Sequence, residues 1–427
     1  MKGLKNLNPK NNNRMRRVVI TGLGCVTPLG NNTEALWSGL LKGECAIREI
    51  TSLPTENLPV KVAAEVLDFN PEAFGIEKSM IRHNDRYALF ALAAAGQAMA
   101  DSGLTVGKDV EPHRLGCAIG SGIGGIHTFT REHASLMKNG PRYVSPLFIP
   151  EMIANIASGN VAIAFNAQGP NLPVVTACAS GTHSVGEAYR MIHEGRADAM
   201  ITGGAEAAIS EISIAGFANS KALSTSTDPM AASLPFDKRR KGFVMGEGSG
   251  ILILEDYELA RRRGAHIYAE ICGYGNTCDA HHYTAPRPDG LSATNAMRLA
   301  LEEAGFKADE SLYINAHGTG TPLNDKSETI AIKQALGEAA ARKAVISSTK
   351  SMLGHMLGAT GAVEAIICAM TLKNGVVPPT VHLDEPDPEC DLDYTPNVAV
   401  KADLTLGFSN SFGFGGHNAC IAFRKFL

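Results

Sequence analysis

The chain has a single tryptophan, its aromatics amount to only 6% of 427 residues, and none of its nine cysteines falls in a C-x-x-C pair. The missing pairs exclude the common zinc and dithiol motifs. The cysteines, at 25, 45, 117, 178, 272, 278, 368, 390 and 420, are too scattered for a disulfide framework. A reducing, cytoplasmic compartment is expected. No apolar run reaches the roughly 20 residues that a membrane helix needs, and the N-terminus lacks the apolar core of a signal peptide, so no membrane association is expected. Positive charge is not in excess either. A formal net charge of −4 leaves no dominant basic field, which argues against a nucleic-acid partner. An acidic partner would need a local basic patch.

What the chain does have is 44% hydrophobic residues and 44 glycines, the composition of a compact α/β protein with many tight turns. Residues 1–16 read as a disordered extension, with Asn6, Asn8, Asn11, Asn12 and Asn13 among lysines ahead of Met15. Beyond it, β-rich runs at Val18 to Thr21, Cys117 to Ile119, Val174 to Thr176, Ala199 to Thr202 and Ile251 to Leu254 alternate with helical patterns such as Tyr87 to Ala100 and Ser184 to Glu194. The alternation restarts after Arg263, through Ile267 to Gly273, Leu312 to Asn315 and Val345 to Ser348, and ends with Leu406 to Ser409 and Ala419 to Phe423. Such alternation means βαβ units and sheets covered by helices. Two sets predict two similar halves, residues 17–263 and 264–427.

One segment carries chemistry. In Val174-Val175-Thr176-Ala177-Cys178-Ala179-Ser180-Gly181 a β-branched run breaks at a cysteine and gives way to a helical pattern. A thiol at a helix N-terminus feels unpaired N–H groups that favour thiolate, and amides at such a turn can hold an oxyanion. From this segment alone Cys178 reads equally as a small buried hydrophobe. Two histidines follow similar runs, His317 in Asn315-Ala316-His317-Gly318-Thr319-Gly320-Thr321-Pro322 and His355 in Lys350-Ser351-Met352-Leu353-Gly354-His355. Either alone would be an ordinary hydrogen-bonded histidine. Three reactive residues in the same kind of setting are a poor match to packing.

These motifs, with Asn410-Ser411-Phe412-Gly413-Phe414-Gly415-Gly416-His417-Asn418, resemble the elongating β-ketoacyl-acyl-carrier-protein synthases over about Arg17 to Arg424. Family members usually carry Ser where this chain has Gly320. The resemblance implies a thiolase-like five-layered αβαβα fold of two similar halves, with the active site where they meet. It implies decarboxylative condensation of malonyl-carrier with an acyl group stored as a thioester on Cys178. His317 and His355, as neutral imidazoles, would stabilise the charge built on the malonyl thioester as carbon dioxide leaves. The N–H groups of Cys178 and Phe414 would hold the oxyanion of the acyl carbonyl.

The same resemblance assigns Lys350 and Glu328 as a buried pair that orients the site, and places Ile123, Phe148 and Phe217 along the acyl pocket, Phe148 near that of a homodimer partner. Thr284, Thr319 and Thr321 match hydroxyls that hold a pantetheine arm. Lys78, Arg82, Arg142 and Lys221 match the basic patch that receives an acyl carrier protein, although Tyr143 stands where relatives are often basic. No resident cofactor is expected, because the phosphopantetheine arm arrives on the carrier. Phe414 between two glycines reads as a gate for acyl entry or as an aromatic plug in a Gly-rich hairpin.

Two tempting patterns fail. Gly120-Ser121-Gly122-Ile123-Gly124-Gly125 has dinucleotide-binding spacing, but no acidic residue follows at about 20 residues to hold a ribose. His281-His282 and the trio His317, His355 and His417 lack the helical spacing of a zinc peptidase, so no metal is expected. A thiolase would use a second cysteine in a C-terminal Cys-x-Gly motif, which is absent.

Overall fold

The computed structural model describes residues 15–427. The expected extension therefore lies outside the described residues up to position 14. At its other end, Arg16 donates its backbone N–H to the His193 carbonyl at 3.0 Å and its guanidinium to Asp198 at 2.7 Å, which ties this end to the body.

Nine strands form the central sheet: β1 (Val18–Val26), β2 (Leu115–Gly120), β3 (Ala199–Glu206), β4 (Gly248–Asp256), β5 (Ala269–Cys278), β6 (Leu312–Asn315), β7 (Val345–Ser347), β8 (Leu406–Gly413) and β9 (His417–Lys425). Their order is β2-β3-β4-β1-β5-β9-β8-β6-β7. The duplication expected from the two alternating sets is visible in this order. In the second half β6 pairs parallel with β8, β8 antiparallel with β9, and β9 antiparallel with β5. In the first half β2 pairs parallel with β3, β3 antiparallel with β4, and β4 antiparallel with β1. The halves join where β1 runs antiparallel to β5, with Val18 opposite Ile271.

The repeat is incomplete at one edge. Where the second half has β7, the first has only a single parallel bridge between Cys117 and Asn171. The run Val174 to Thr176, read as a strand from its β-branched residues, forms none. It lies on an open side of the sheet, with Leu172 61% and Val175 54% exposed, and no strand among the described residues pairs with it there.

Five helices set the layers: α1 (Arg86–Ser102), α2 (Ser180–His193), α3 (Leu291–Glu303), α4 (Pro322–Leu336) and α5 (Thr360–Asn374). α1 packs on β1 and β4, and α3 on β5 and β9 with α4 beside it, each on an outer face. α2 and α5 touch one another and lie between the half-sheets, α2 against β2 and β3 and α5 against β4 and β8. The sequence shows why. Helix α3 buries a stripe of Ala293, Ala296, Met297, Ala300 and Leu301, as a one-sided helix does. In α5 nearly every residue from Thr360 to Leu372 is buried, which suits a helix with a sheet on either side. The result is the thiolase-like αβαβα sandwich. Burying one core side chain such as Tyr313 or Phe408 contributes about 1.5–3 kcal/mol. Among the described residues no helix is long and apolar enough to cross a membrane.

Candidate active site

Cys178 lies in a one-turn 3-10 segment, Ala177–Ala179, that runs directly into α2. Ala177 is held at a φ of 51°, a left-handed conformation that L residues rarely adopt. Local bonds hold this turn: Ser180 Oγ accepts from Thr176 N at 2.8 Å and donates to the Ala177 carbonyl at 2.7 Å. The β8–β9 hairpin comes down on the turn. A Cβ on Gly413 would lie 2.7 Å from the Thr176 carbonyl and 3.2 Å from Cys178 N, so only glycine permits the approach. The approach brings the backbone N–H of Phe414, together with that of Cys178, onto the thiol. Burial pushes the Cys178 thiol up to about 12, against the pull of Lys350 and those two N–H groups, while Glu206 pushes the same way as burial. Burial thus opposes the thiolate that the helix terminus favours.

The histidines come from the other half. His317 follows β6, and its backbone N–H donates to Glu328 at 2.8 Å while Gly318 N donates to the second oxygen at 2.7 Å. His355 follows a short helix, Lys350–Leu353; its N–H reaches the Val244 carbonyl at 2.7 Å and its Nδ1 meets Thr360 Oγ1 at 2.9 Å. The ring centroids stand 5.4 Å apart at 83°, and Phe412 and Phe243 wall them off. His317 Nδ1 and His355 Nε2 are buried without a hydrogen-bond partner among the described residues. Burial and the Lys350 charge hold both imidazoles well below the ordinary histidine value, His355 adding to the effect on His317. Both shifts favour the neutral imidazole.

Cys178, His317, His355, Phe414, Thr284, Thr319 and Thr321 all line one pocket that opens to solvent. Phe217 lies just behind it, with its ring 6.3 Å from that of Phe414 and 5.6 Å from that of Phe243. Ile123 and Phe148 do not line it. Lys78, Arg82, Arg142 and Lys221 are exposed, and Lys221 adjoins pocket residue Ala222. Cys178 is the only cysteine in the lining, and Cys420 is fully enclosed in β9.

One expected pairing is wrong. Lys350 does not pair with Glu328. It meets Glu364 of α5 at 2.5 Å, with both side chains almost fully enclosed. Glu328 instead accepts the two loop amides and Asn410 Nδ2 at 3.1 Å, so it shapes the His317 loop by neutral donors. The signal for Glu364 was present in the sequence, a lone acid in the apolar run Thr360-Gly361-Ala362-Val363-Glu364-Ala365-Ile366. Asp279 was also missed. Buried at the pocket wall, it accepts from Asn418 Nδ2 at 2.8 Å and from Arg287 N at 3.0 Å. The glycine loop after β2 holds no nucleotide, because its amides at Gly122 and Ile123 already donate to Glu206. Among the described residues no group of three or more His, Cys, Asp or Glu is arranged to hold a metal.

The models of the β-ketoacyl synthase N-terminal and C-terminal domains match residues 15–260 and 268–384. The chain is 51% identical over 411 residues to a 3-oxoacyl-[acyl-carrier-protein] synthase 2 of Staphylococcus aureus, covering 96% of this chain and 99% of that one. It is 49% identical over 412 residues to its namesake in Synechocystis sp., covering 96% and 98%. Among solved structures, a type II PKS ketosynthase in complex with its acyl-carrier protein matches at a TM-score of 0.90 and 34% identity over 97% of this chain and 100% of that one. A β-ketoacyl synthase from Burkholderia phymatum matches at 0.90 and 36%, with the same coverage. With family models over both halves and near-full-length identity of about half, the chain belongs to the β-ketoacyl synthase family and is a condensing acyltransferase of fatty-acid elongation.

Proposed function

We propose that Cys178 stores the acyl chain and that His317 and His355 drive the decarboxylation of the incoming malonyl unit. The observation that carries this reading is the convergence of one thiol, two neutral imidazoles with unpartnered nitrogens, and two N–H groups aimed at sulfur in a single pocket. In the first half-reaction Cys178 Sγ bonds to the acyl carbonyl carbon, the carrier's C–S bond breaks, and the thiol proton leaves with the carrier thiol. The N–H groups of Cys178 and Phe414 stabilise the tetrahedral oxyanion.

Malonyl-carrier then enters. Its C–C bond to the carboxylate breaks, carbon dioxide departs, and the electron pair moves onto the thioester oxygen, where His317 and His355 donate hydrogen bonds. A charged imidazolium here would be a hydrogen-bond donor too, but it would be costly in so buried a site. The carbanion attacks the acyl carbon on Cys178, the C–Sγ bond breaks, and the thiolate takes a proton. The product is 3-oxoacyl-carrier.

Thr284, Thr319 and Thr321 at the pocket wall suit the amides and hydroxyl of a pantetheine arm, which makes a resident cofactor unnecessary. Exposed Lys78, Arg82, Arg142 and Lys221 suit an acidic acyl carrier protein. The exposed apolar side chains Ile149, Ile163, Leu172 and Val175 suit a second copy of the chain, which would bring Phe148 near its partner's acyl pocket, while Ile123 would stand at the far end of the pocket of its own chain. Free cysteines throughout suit a reducing cytoplasm. The test is a condensation assay with malonyl-carrier and a ladder of acyl-carriers, read by product mass. A 3-oxoacyl-carrier two carbons longer than each acyl donor is expected; release of free fatty acid alone would contradict the reading.

A further inference from the structure

Glu206 ends β3 at the meeting of the two halves and is fully buried, yet no Lys, Arg or His among the described residues forms an ion pair with it. Four donors hold its carboxylate. Oε1 accepts from Ser121 Oγ at 2.8 Å and Ile123 N at 3.2 Å, and Oε2 accepts from Gly122 N at 2.7 Å and Gly358 N at 3.0 Å. The first three donors belong to the glycine loop after β2. The fourth belongs to the Leu357–Ala359 turn of the other half, between His355 and Thr360, whose hydroxyl holds the His355 ring. Space around the clamp is fully used: a Cβ on Gly358 would lie 2.3 Å from Gly122 N and 2.8 Å from Glu206 Oε2, and one on Gly122 would lie 2.8 Å from Glu206 Oε2 and 3.3 Å from the Ala177 carbonyl.

We propose that Glu206 is a positioning residue for the condensation: its carboxylate clamps the Ile123 loop to the turn that follows His355 and seats both against the backbone that carries Cys178. The inference rests on the reading of Cys178, His355 and Ile123 given above. A buried acid held by three backbone amides and a hydroxyl is a costly way to close a loop, since an apolar side chain could fill the space and a shorter acid could not reach all four donors. What the carboxylate adds is a rigid link between the acyl side and the malonyl side of the site. It also places an acid near Cys178 that works against the thiolate and is opposed there by Lys350; burial raises the Glu206 carboxyl itself, against the pull of its four donors.

The test uses the full chain in three variants, Glu206→Gln, Glu206→Asp and Ser121→Ala, each checked for an unchanged elution volume and a cooperative melt. Ser121→Ala removes one donor and leaves the acid, so it is available even if loss of the carboxylate prevents folding. Two quantities are read: the ratio of Cys178 acylation rates with a long and a short acyl-carrier, and the rate of iodoacetamide alkylation of Cys178 at pH 8. Loosening the Ile123 loop should shift the long-to-short ratio by about tenfold in both Glu206 variants and by a smaller factor of the same sign in Ser121→Ala, as expected when a supporting contact is lost. Alkylation should quicken about threefold in Glu206→Gln, which loses the anion, and stay near the unmutated rate in Glu206→Asp, which keeps it. Folded variants that all keep the unmutated ratio would overturn the proposal. So would Glu206→Gln and Glu206→Asp with equal alkylation rates. Failure of Cys178 to accept an acyl group in the unmutated chain would instead defeat the reading on which the proposal rests.

Discussion

Lys350 Nζ and Glu364 Oε1 meet at 2.5 Å, with side chains 2% and 1% exposed, within electrostatic reach of His317 and His355. Burial pushes the Glu364 carboxyl up to about 7, against the pull of Lys350, and Glu364 Oε2 has no hydrogen-bond partner among the described residues. The ammonium is thus part of why the two imidazoles stay neutral, and the carboxylate is what keeps the ammonium in place.

Removing one partner should therefore be worse than removing both. Lys350→Ala should cost about 3–5 kcal/mol of stability by leaving a buried acid without its cation. The double variant Lys350→Met with Glu364→Leu should be closer to the unmutated chain. Urea unfolding of the three proteins checks this, and a double variant less stable than Lys350→Ala would contradict it.

The histidines should separate two half-reactions. His317→Ala or His355→Ala should slow malonyl decarboxylation about a hundredfold or more while Cys178 is still acylated, because only decarboxylation builds charge on the oxygen they face. Carbon dioxide release and acyl-enzyme formation, measured separately, check this. Intact decarboxylation with slow acylation in both variants would reverse the roles.

Both imidazoles should also resist acid. Their folded values lie below the unfolded one, so the unfolded chain takes up protons first as pH falls. The stability that neutral burial carries is present above about pH 6.5 and is lost progressively below it. NMR of histidine-labelled protein from pH 8 to 5.5, assigned by single His substitutions, should show His317 and His355 keeping neutral shifts throughout, as buried His183 also should. Titration of His317 and His355 near 6.5 would mean that their pocket is wet.

Phe414 sits in a hairpin whose tip has Gly415 and Gly416 in the left-handed region, at φ of 87° and 77°. If the ring is a gate, Phe414→Ala should change the rate of acylation and its dependence on chain length, with the melting temperature changed much less. Condensation from a pre-acylated enzyme should persist, because the backbone N–H survives the truncation. Unchanged acylation of long and short chains would leave Phe414 as a plug.

The strands with continuous apolar runs were legible because β-branched sequence and burial agree there, as in Val18 to Thr21 and Ile251 to Leu254. Val174 to Thr176 misled for the converse reason: β propensity without a strand beside it gives exposed extended chain. The reactive residues were legible as types at strand ends. Their partners were not, since an acid's partner depends on which helix faces it across the sandwich. The resemblance paired Lys350 with Glu328, and only the packing of α5 between the half-sheets shows Glu364 as the partner. Glu206 carried no signal beyond a lone acid closing an apolar strand.

The most direct test of the account is the site of acylation. The unmutated chain and Cys178→Ala are each incubated with acyl-carrier and no malonyl-carrier, digested, and read by mass spectrometry. The account predicts one acyl adduct, on the peptide that contains Cys178, and none in Cys178→Ala, which should remain folded. An adduct on another residue, or condensation that survives in Cys178→Ala, would contradict it.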